Sequence, residues 1–378
     1  KLRFIRILLA SIVGLILLLY LFIQIPWVQN KLIQKATQTL SSSLNTEVKV
    51  GKVGFALFNR LDLQDVLIRD QQKDTLVYTH TLKLRISDIF FSTTTPIIKY
   101  IGLEGTKILL HRNTEQWNYQ FLLDFLNKGA QKKNKGYDLK KIEIAQIDFV
   151  QDDEWVGQSM HLKSANIIAN FSQFNDNLIQ IDQLVANKPF YTIQNKKGLR
   201  KNIPNKKKII HPIDELYFGN PNTIILAKEI KITQGKLWIE NDFAKPTPQF
   251  DGYHIRLNEL NAQIENASFI KDTIKAKVVL STKERSGFAI QQLKTQFRMT
   301  PQIMELAALE LKTNKSTIGN YYAMEYKEFI PDFRAYMNQV TMKARISKSV
   351  VASDDIAYFA PALKNLDQKI TTSFSFKG

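Results

Sequence analysis

The chain of 378 residues contains no cysteine. That absence excludes a disulfide framework, thiolate metal sites and cysteine redox or nucleophile chemistry. Histidine is nearly as scarce: His80, His111, His161, His211 and His254 lie far apart, and none is spaced for joint metal ligation. No glycine-rich phosphate loop follows a strand pattern, and no Gly-x-Ser-x-Gly elbow occurs. Acidic clusters are limited to Asp152-Asp153-Glu154, placed directly after an apolar alternating run, where a solvated turn is the expected role. The residues therefore carry no nameable catalytic constellation, no metal site and no cofactor site. The expected class is not an enzyme.

What the chain has in excess is positive charge, a net +17, but it is unevenly placed. Lys188–Lys208 holds eight Lys/Arg and no acid, and Lys128–Lys141 holds six Lys against one Asp; together they supply 13 of the 17. Both read as loops, without a recognition fold for nucleic acid. The longer one, Asn187–Asn222, is a basic insertion carrying Lys196, Lys197, Arg200, Lys201, Lys206, Lys207 and Lys208. Its two readings are a solvated loop and a contact with anionic headgroups.

One long apolar run is present, at residues 4–25 (FIRILLASIVGLILLLYLFIQI). At about 1.5 Å rise per residue it is long enough for a hydrocarbon core of roughly 30 Å. Phe4, Leu15 and Leu19 stand within this span, Lys1, Arg3 and Arg6 flank its start, and Trp27 sits at headgroup level beyond it. The positive-inside bias places the N-terminus in the cytoplasm. A cleaved leader is the competing reading, opposed by the length of the run and the lack of a small-residue cleavage site. Residues 1–27 are thus expected to be a single-pass anchor, with the body outside the cytoplasm.

Residues 28–46 follow as an amphipathic helix, with Val28, Leu32, Ile33, Ala36, Leu40 and Leu44 at helical spacing and Asn45 as its stop. From Val48 the apolar period becomes two. Leu82, Leu84 and Ile86 alternate with polar residues, and so do Ile230 with Ile232 and Ile255 with Leu257. Ile274, Ala276, Val278 and Leu280 repeat the pattern, as do Val340, Met342, Ala344 and Ile346. Strict alternation gives each strand one apolar and one wet face, the mark of antiparallel sheet. A weak repeat accompanies it: Ile101-x-Leu103 then Ile108 and Leu110; Ile230-x-Ile232 then Leu237 and Ile239; Leu309-x-Leu311 then Ile318; and a shortened copy from Ile142 to Phe149. The repeat reads as strand, turn or bulge, strand. Short helices are expected over Trp117–Leu126 and Asp354–Leu366, the second split by Pro361. Fold class is mainly β: an elongated, bent antiparallel sheet over residues 47–378 with few helices.

The anchor, the helix and the stretch VKVGKVGFALFNRLDLQDVLIRDQQKDTLVYTHTLKLRISDIF resemble the start of TamB-like proteins of the AsmA superfamily, of Bacteroidetes type. IIKYIGLEGTKILLHRN with WNYQFLLDFL, and SVVASDDIAYFAPALKNL, extend the resemblance. It implies a taco-like sheet whose apolar groove conducts phospholipid from the inner towards the outer membrane. The apolar residues of the five alternating runs just named would line that groove. It also implies a longer polypeptide, of which this is the N-terminal part, meeting an Omp85-type outer-membrane barrel. The alternative from the same family is a factor assisting insertion or translocation of outer-membrane β-barrel proteins. No nucleic acid is expected as a partner.

Overall fold

A computed structural model describes residues 25–56, 59–86, 98–130, 139–175, 177–200, 223–327 and 339–378. The anchor residues Phe4, Leu15 and Leu19, together with Lys201, Lys206, Lys207 and Lys208, lie outside this set. Among the described residues no helix is long and apolar enough to cross a membrane. The protein is mainly β, and it divides into two compact units, Lys1–Asp152 and Asp153–Gly378.

In the first unit α1 (Pro26–Leu44) opens with proline at its first turn and ends at Asn45, whose left-handed φ of 51° returns its N–H to Ser41 and Ser42. The helix packs on β1 (Val48–Lys49) and β2 (Lys52–Ala56). β3 (Arg60–Arg69), β4 (Thr75–Ile86) and β5 (Ile98–Arg112) continue antiparallel, with β6 (Lys141–Asp153) next to β5. The expected helix at Trp117 starts later, as α2 (Gln120–Ala130). Trp117 instead stacks on Tyr119 and holds the Arg112 guanidinium over its ring, so aromatic packing before the helix displaces its start.

The second unit contains β7 (Gln158–Phe174), β8 (Leu178–Asn187), β9 (Phe190–Asn195), β10 (Ile224–Asn241), β11 (Ile255–Ile270) and β12 (Thr273–Glu284). β13 (Ala289–Met299), β14 (Ile303–Lys312), β15 (Thr317–Glu325), β16 (Thr341–Ala352) and β17 (Lys369–Lys377) follow. From β10 to β17 every neighbour is antiparallel. The expectation of a purely antiparallel sheet is corrected at one place. β8 and β9 lie end to end between β7 and β10, antiparallel to β7 but parallel to β10. Parallel neighbours need a crossover of a dozen or more residues. Phe190–Asn195 of the expected basic loop is therefore strand, and the rest of it, from Lys196 to Asn222, makes that crossover, which is why it is long. The second expected helix is likewise shorter, reduced to α3 (Ser353–Ile356) and a 3₁₀ turn at Pro361–Leu363.

The long strands keep one side apolar by a device that alternation alone does not supply. Along β10 the apolar residues are Ile230 and Ile232, then Leu237 and Ile239, so their parity changes from even to odd. Gln234, with φ 53°, stands at the change. The same coincidence of parity change and left-handed backbone recurs at Asp65, Gly105 and Gln146 in the first unit. In the second unit it recurs at Glu259, Asn266, Ala308 and Lys348. In β10, β11, β14 and β16 a register shift lies at the same point. A residue in this conformation turns the chain by one side-chain position, so the apolar set remains on one face and the strand bends.

Turning the chain also pulls a carbonyl out of the ladder; at five left-handed residues a buried hydroxyl meets it, and before Asp65 and Gln234 a backbone N–H does, from Gly51 and Lys188. Thr79 donates to Glu104 O (3.1 Å), Ser164 to Asn187 O (3.0 Å), Thr282 to Asn258 O (2.9 Å), Thr295 to Ala307 O (2.8 Å) and Ser349 to Ser347 O (3.1 Å). Each acceptor directly precedes a left-handed residue: Gly105, Lys188, Glu259, Ala308 and Lys348. Thr79 is 1% exposed and Thr295 4% exposed, so neither hydroxyl has water as a substitute for its acceptor. Thr295→Val is expected to cost about 1–3 kcal/mol in urea denaturation, the penalty of a buried acceptor left unmet. A loss below about 0.5 kcal/mol would show that the hydroxyls are incidental to the bends.

The repeat seen in the sequence is thereby reinterpreted. Ile101–Leu110 and Ile230–Ile239 are each one bent strand, as is Ile142–Phe149, and not a hairpin. Leu309–Ile318 is the exception, since it crosses the β14–β15 turn.

Candidate functional site

Side chains paired across a ladder share a face, so the register gives the composition of each side of the second sheet. One row crosses eight strands: Ile167, Ala186, Ile232, Ala262, Leu280, Leu293, Leu311 and Ile318. A second joins Ala169, Leu184, Ile230, Ile264, Val278 and Thr295. A third runs from Ala276 through Phe297, Leu306, Tyr322 and Ala344 to Phe376. The alanines at 169, 186, 262 and 344 are buried, whereas the larger aliphatic members are half-buried. Their half-exposure leaves an apolar surface many residues wide open to solvent. In this unit α3 packs against β16, and the 3₁₀ turn follows it.

The opposite face is wet. Lys231, Gln263, Val279, Lys294 and Glu310 pair in one row, with Lys294 and Glu310 3.2 Å apart. Both units use the same charged ladder there. Arg85 lies 4.7 Å from the Tyr100 ring centre, and Tyr100 donates to Glu143 at 2.7 Å. Arg345 lies 4.7 Å from the Tyr321 ring centre; Tyr321 donates to Glu305 at 2.8 Å, and Arg298 donates to the same carboxylate at 2.6 Å. Burial, with the Glu143 carboxylate beside it, pushes the Tyr100 hydroxyl up to about 12. Glu305 is held below its ordinary range, first by Arg298 and then by Tyr321. Such pairs fix strand register on the solvated side and leave the three apolar rows free of charge.

The sequence-selected residues distribute over both units. In the first, Leu82 pairs with Leu63 and Leu103, and Leu84 with Leu61 and Ile101, forming an apolar row of their own. Ile86, at the end of β4, is 5% exposed and so is core. In the second unit Ile230, Ile232, Ile255, Leu257, Ile274, Ala276, Val278 and Leu280 fall on the apolar side, with Met342, Ala344 and Ile346. Val340 directly precedes β16 and is 7% exposed. Ala344 and Ile346, each 8% exposed, are also packed more deeply than the rest.

The basic insertion begins on a built support. Its first residues cross the turn that carries the acidic triplet: Lys196 N–H donates to Gly157 O, Leu199 N–H to Glu154 O and Arg200 N–H to Trp155 O, at 2.8–2.9 Å. Asp153 is 8% exposed, with its carboxylate accepting from Val156 N–H, so its role is to hold this turn and not to meet solvent. Lys197 and Arg200 are exposed, and Trp27, beneath Lys31, is 66% exposed. Among the described residues no group of three His, Asp or Glu could hold a metal. No family model and no curated protein matches the chain.

Proposed function

We propose that the apolar face of the sheet takes acyl chains and lets phospholipid pass along it. The observation that supports this is the half-exposed apolar surface, kept on one side of long strands by left-handed residues that cost energy. An acyl chain of about 15 methylenes gains on the order of 10 kcal/mol when removed from water, spread over many equivalent positions. Equivalent neighbouring positions mean low barriers between them, which suits movement over tight capture. Exposed apolar surface of this extent is otherwise an aggregation hazard.

In this reading residues 1–27 anchor the chain in an inner membrane with its body on the periplasmic side. The likeness to TamB-like proteins supports the same assignment and extends it to a partner, an Omp85-type barrel in the outer membrane. The basic insertion then faces anionic headgroups. The chain itself performs no covalent chemistry.

Photo-crosslinking residues at 276 and 278 are expected to capture phospholipid in cells, and those at 275 and 277 are not. The parity matters because Lys275 and Lys277 are exposed on the other side of the same strand. Capture of unfolded β-barrel polypeptide in place of lipid would favour an assembly factor. Equal labelling at both parities would defeat the proposal.

A further inference from the structure

Residues 242–254, joining β10 to β11, are folded back and held at their end by His254, which is 5% exposed. Its Nδ1 lies 2.9 Å from Glu240 Oε2, and its Nε2 lies 2.8 Å from the Ala244 carbonyl oxygen. A carbonyl oxygen accepts only, and so does an ionised carboxylate. Both ring nitrogens therefore carry protons in this arrangement. A neutral imidazole has one donor and would place a lone pair against one of the two oxygens.

The charged groups around the ring are few and identifiable. Glu240, on β10, is also bound by Arg256 Nε from β11 at 2.5 Å. Asp251, within the loop, accepts from the N–H groups of Thr247 and Tyr253. From the β12–β13 turn Arg285 donates to the carbonyls of Thr247, Gln249 and His254, and Glu284 receives Arg256 N–H. Beyond them Phe250 packs on Phe359 with ring centres 4.8 Å apart, and its N–H donates to Tyr358 O. Phe288 completes the aromatic cluster, in edge contact with Tyr358 and Phe359.

We propose that His254 is a pH-operated latch, closed as the imidazolium, whose deprotonation frees the 242–254 loop and draws Phe250 away from Phe359. The carboxylate of Glu240, then the Ala244 carbonyl, raise the imidazole above 6.5 despite its burial. A group raised in the folded state gives stability that is complete below its unfolded pKa and is lost as pH climbs through the folded value. Asp251, together with Glu240, sets the acid limit. Burial would raise the Asp251 carboxyl, but the Thr247 and Tyr253 N–H groups outweigh that and hold it below 3.8. The latch is thus closed between the protonation of these two carboxylates and the deprotonation of His254.

Amide hydrogen exchange in the full chain tests this, with rates corrected for their intrinsic pH dependence. Protection at Thr247, Phe250, Tyr253 and His254 is expected to fall by up to about ten-fold per pH unit above pH 6.5, until the folded pKa is passed. Protection at Phe297, in β13, is expected to stay constant. In His254→Gln, loop protection is expected to be low and flat with pH. Should that variant fail to fold, the imidazole titration in the unaltered chain decides, and a pKa above 6.5 is expected. Loop protection that is constant from pH 6 to 9, an imidazole titrating at or below 6.5, or the same pH dependence persisting in His254→Gln would each overturn the latch.

Discussion

Gly157→Ala is expected to detach the first residues of the basic insertion and to cost about 3–5 kcal/mol, from lost hydrogen bonds and left-handed strain together. Gly157 has φ +89°, a conformation that glycine adopts without penalty and alanine does not. Space is the larger obstacle. A Cβ there would stand 2.2 Å from the Lys196 carbonyl oxygen and 2.5 Å from Gly198 N, both backbone atoms. The turn and the crossing strand must move apart, and the bonds from Lys196, Leu199 and Arg200 N–H go with them. Gly198→Ala isolates the steric part, since its Cβ would lie 2.5 Å from Val156 O without the left-handed φ. Urea denaturation gives the stability, and amide exchange at 196, 199 and 200 reads the detachment directly. A loss under about 1 kcal/mol, with exchange unchanged, would mean that the turn adapts and that the insertion is not seated there.

That seat also shows where the sequence runs short as a guide. The basic insertion is visible as a charge run, and its thirty-odd residues invite a functional loop. Its length has a topological cause that no local pattern states: β9 and β10 run in the same direction, so the chain must travel back. The acidic triplet reads as a solvated turn because three acids in a row prefer water. Asp153 is nevertheless drawn in by the Val156 N–H that it caps. Strand identity was legible where alternation is strict, as in β4, β12 and β16; β7, β8 and β13 were not singled out by it, and β9 fell inside the expected loop. The five-residue interval from Leu103 to Ile108 and from Ile232 to Leu237 was legible too, as a turn or a bulge between strands, and the structure makes it a bulge within one strand. An odd interval within one strand requires a left-handed residue. Glycine would have signalled it, as Gly105 does, whereas Gln234, Glu259, Ala308 and Lys348 give no such signal. Ala308, exposed and with φ 47°, offers a check of sign: Ala308→Gly is expected to raise stability by about 1 kcal/mol, opposite to glycine's usual effect in a strand. His254 is invisible for a related reason, since its partners Glu240 and Ala244 meet it only when the loop folds back.

Val278→Asp and Val279→Asp separate an open apolar face from a closed core. Val278 is half-buried, paired with Ile264 and Thr295 on the apolar side. Val279 is 40% exposed on the other side, between Gln263 and Lys294. A carboxylate at 278 would meet passing acyl chains with a desolvation penalty of several kcal/mol, whereas one at 279 stays in water. Phospholipid recovered with the purified chain is therefore expected to drop at least ten-fold in Val278→Asp and to be unchanged in Val279→Asp; about 1.4 kcal/mol suffices for the former. Both variants are expected to melt like the parent, because an Asp at a half-exposed position can reach solvent. Ala344→Asp is the contrasting case. At 8% exposure between Tyr322 and Phe376 its carboxylate has no route to water, and stability is expected to fall by several kcal/mol. If Val278→Asp unfolds the chain as Ala344→Asp does, the face is closed in solution and carries no lipid. If it folds and retains its phospholipid, the acyl chains lie elsewhere, and the rows through Ile230 and Ile232 are structural only.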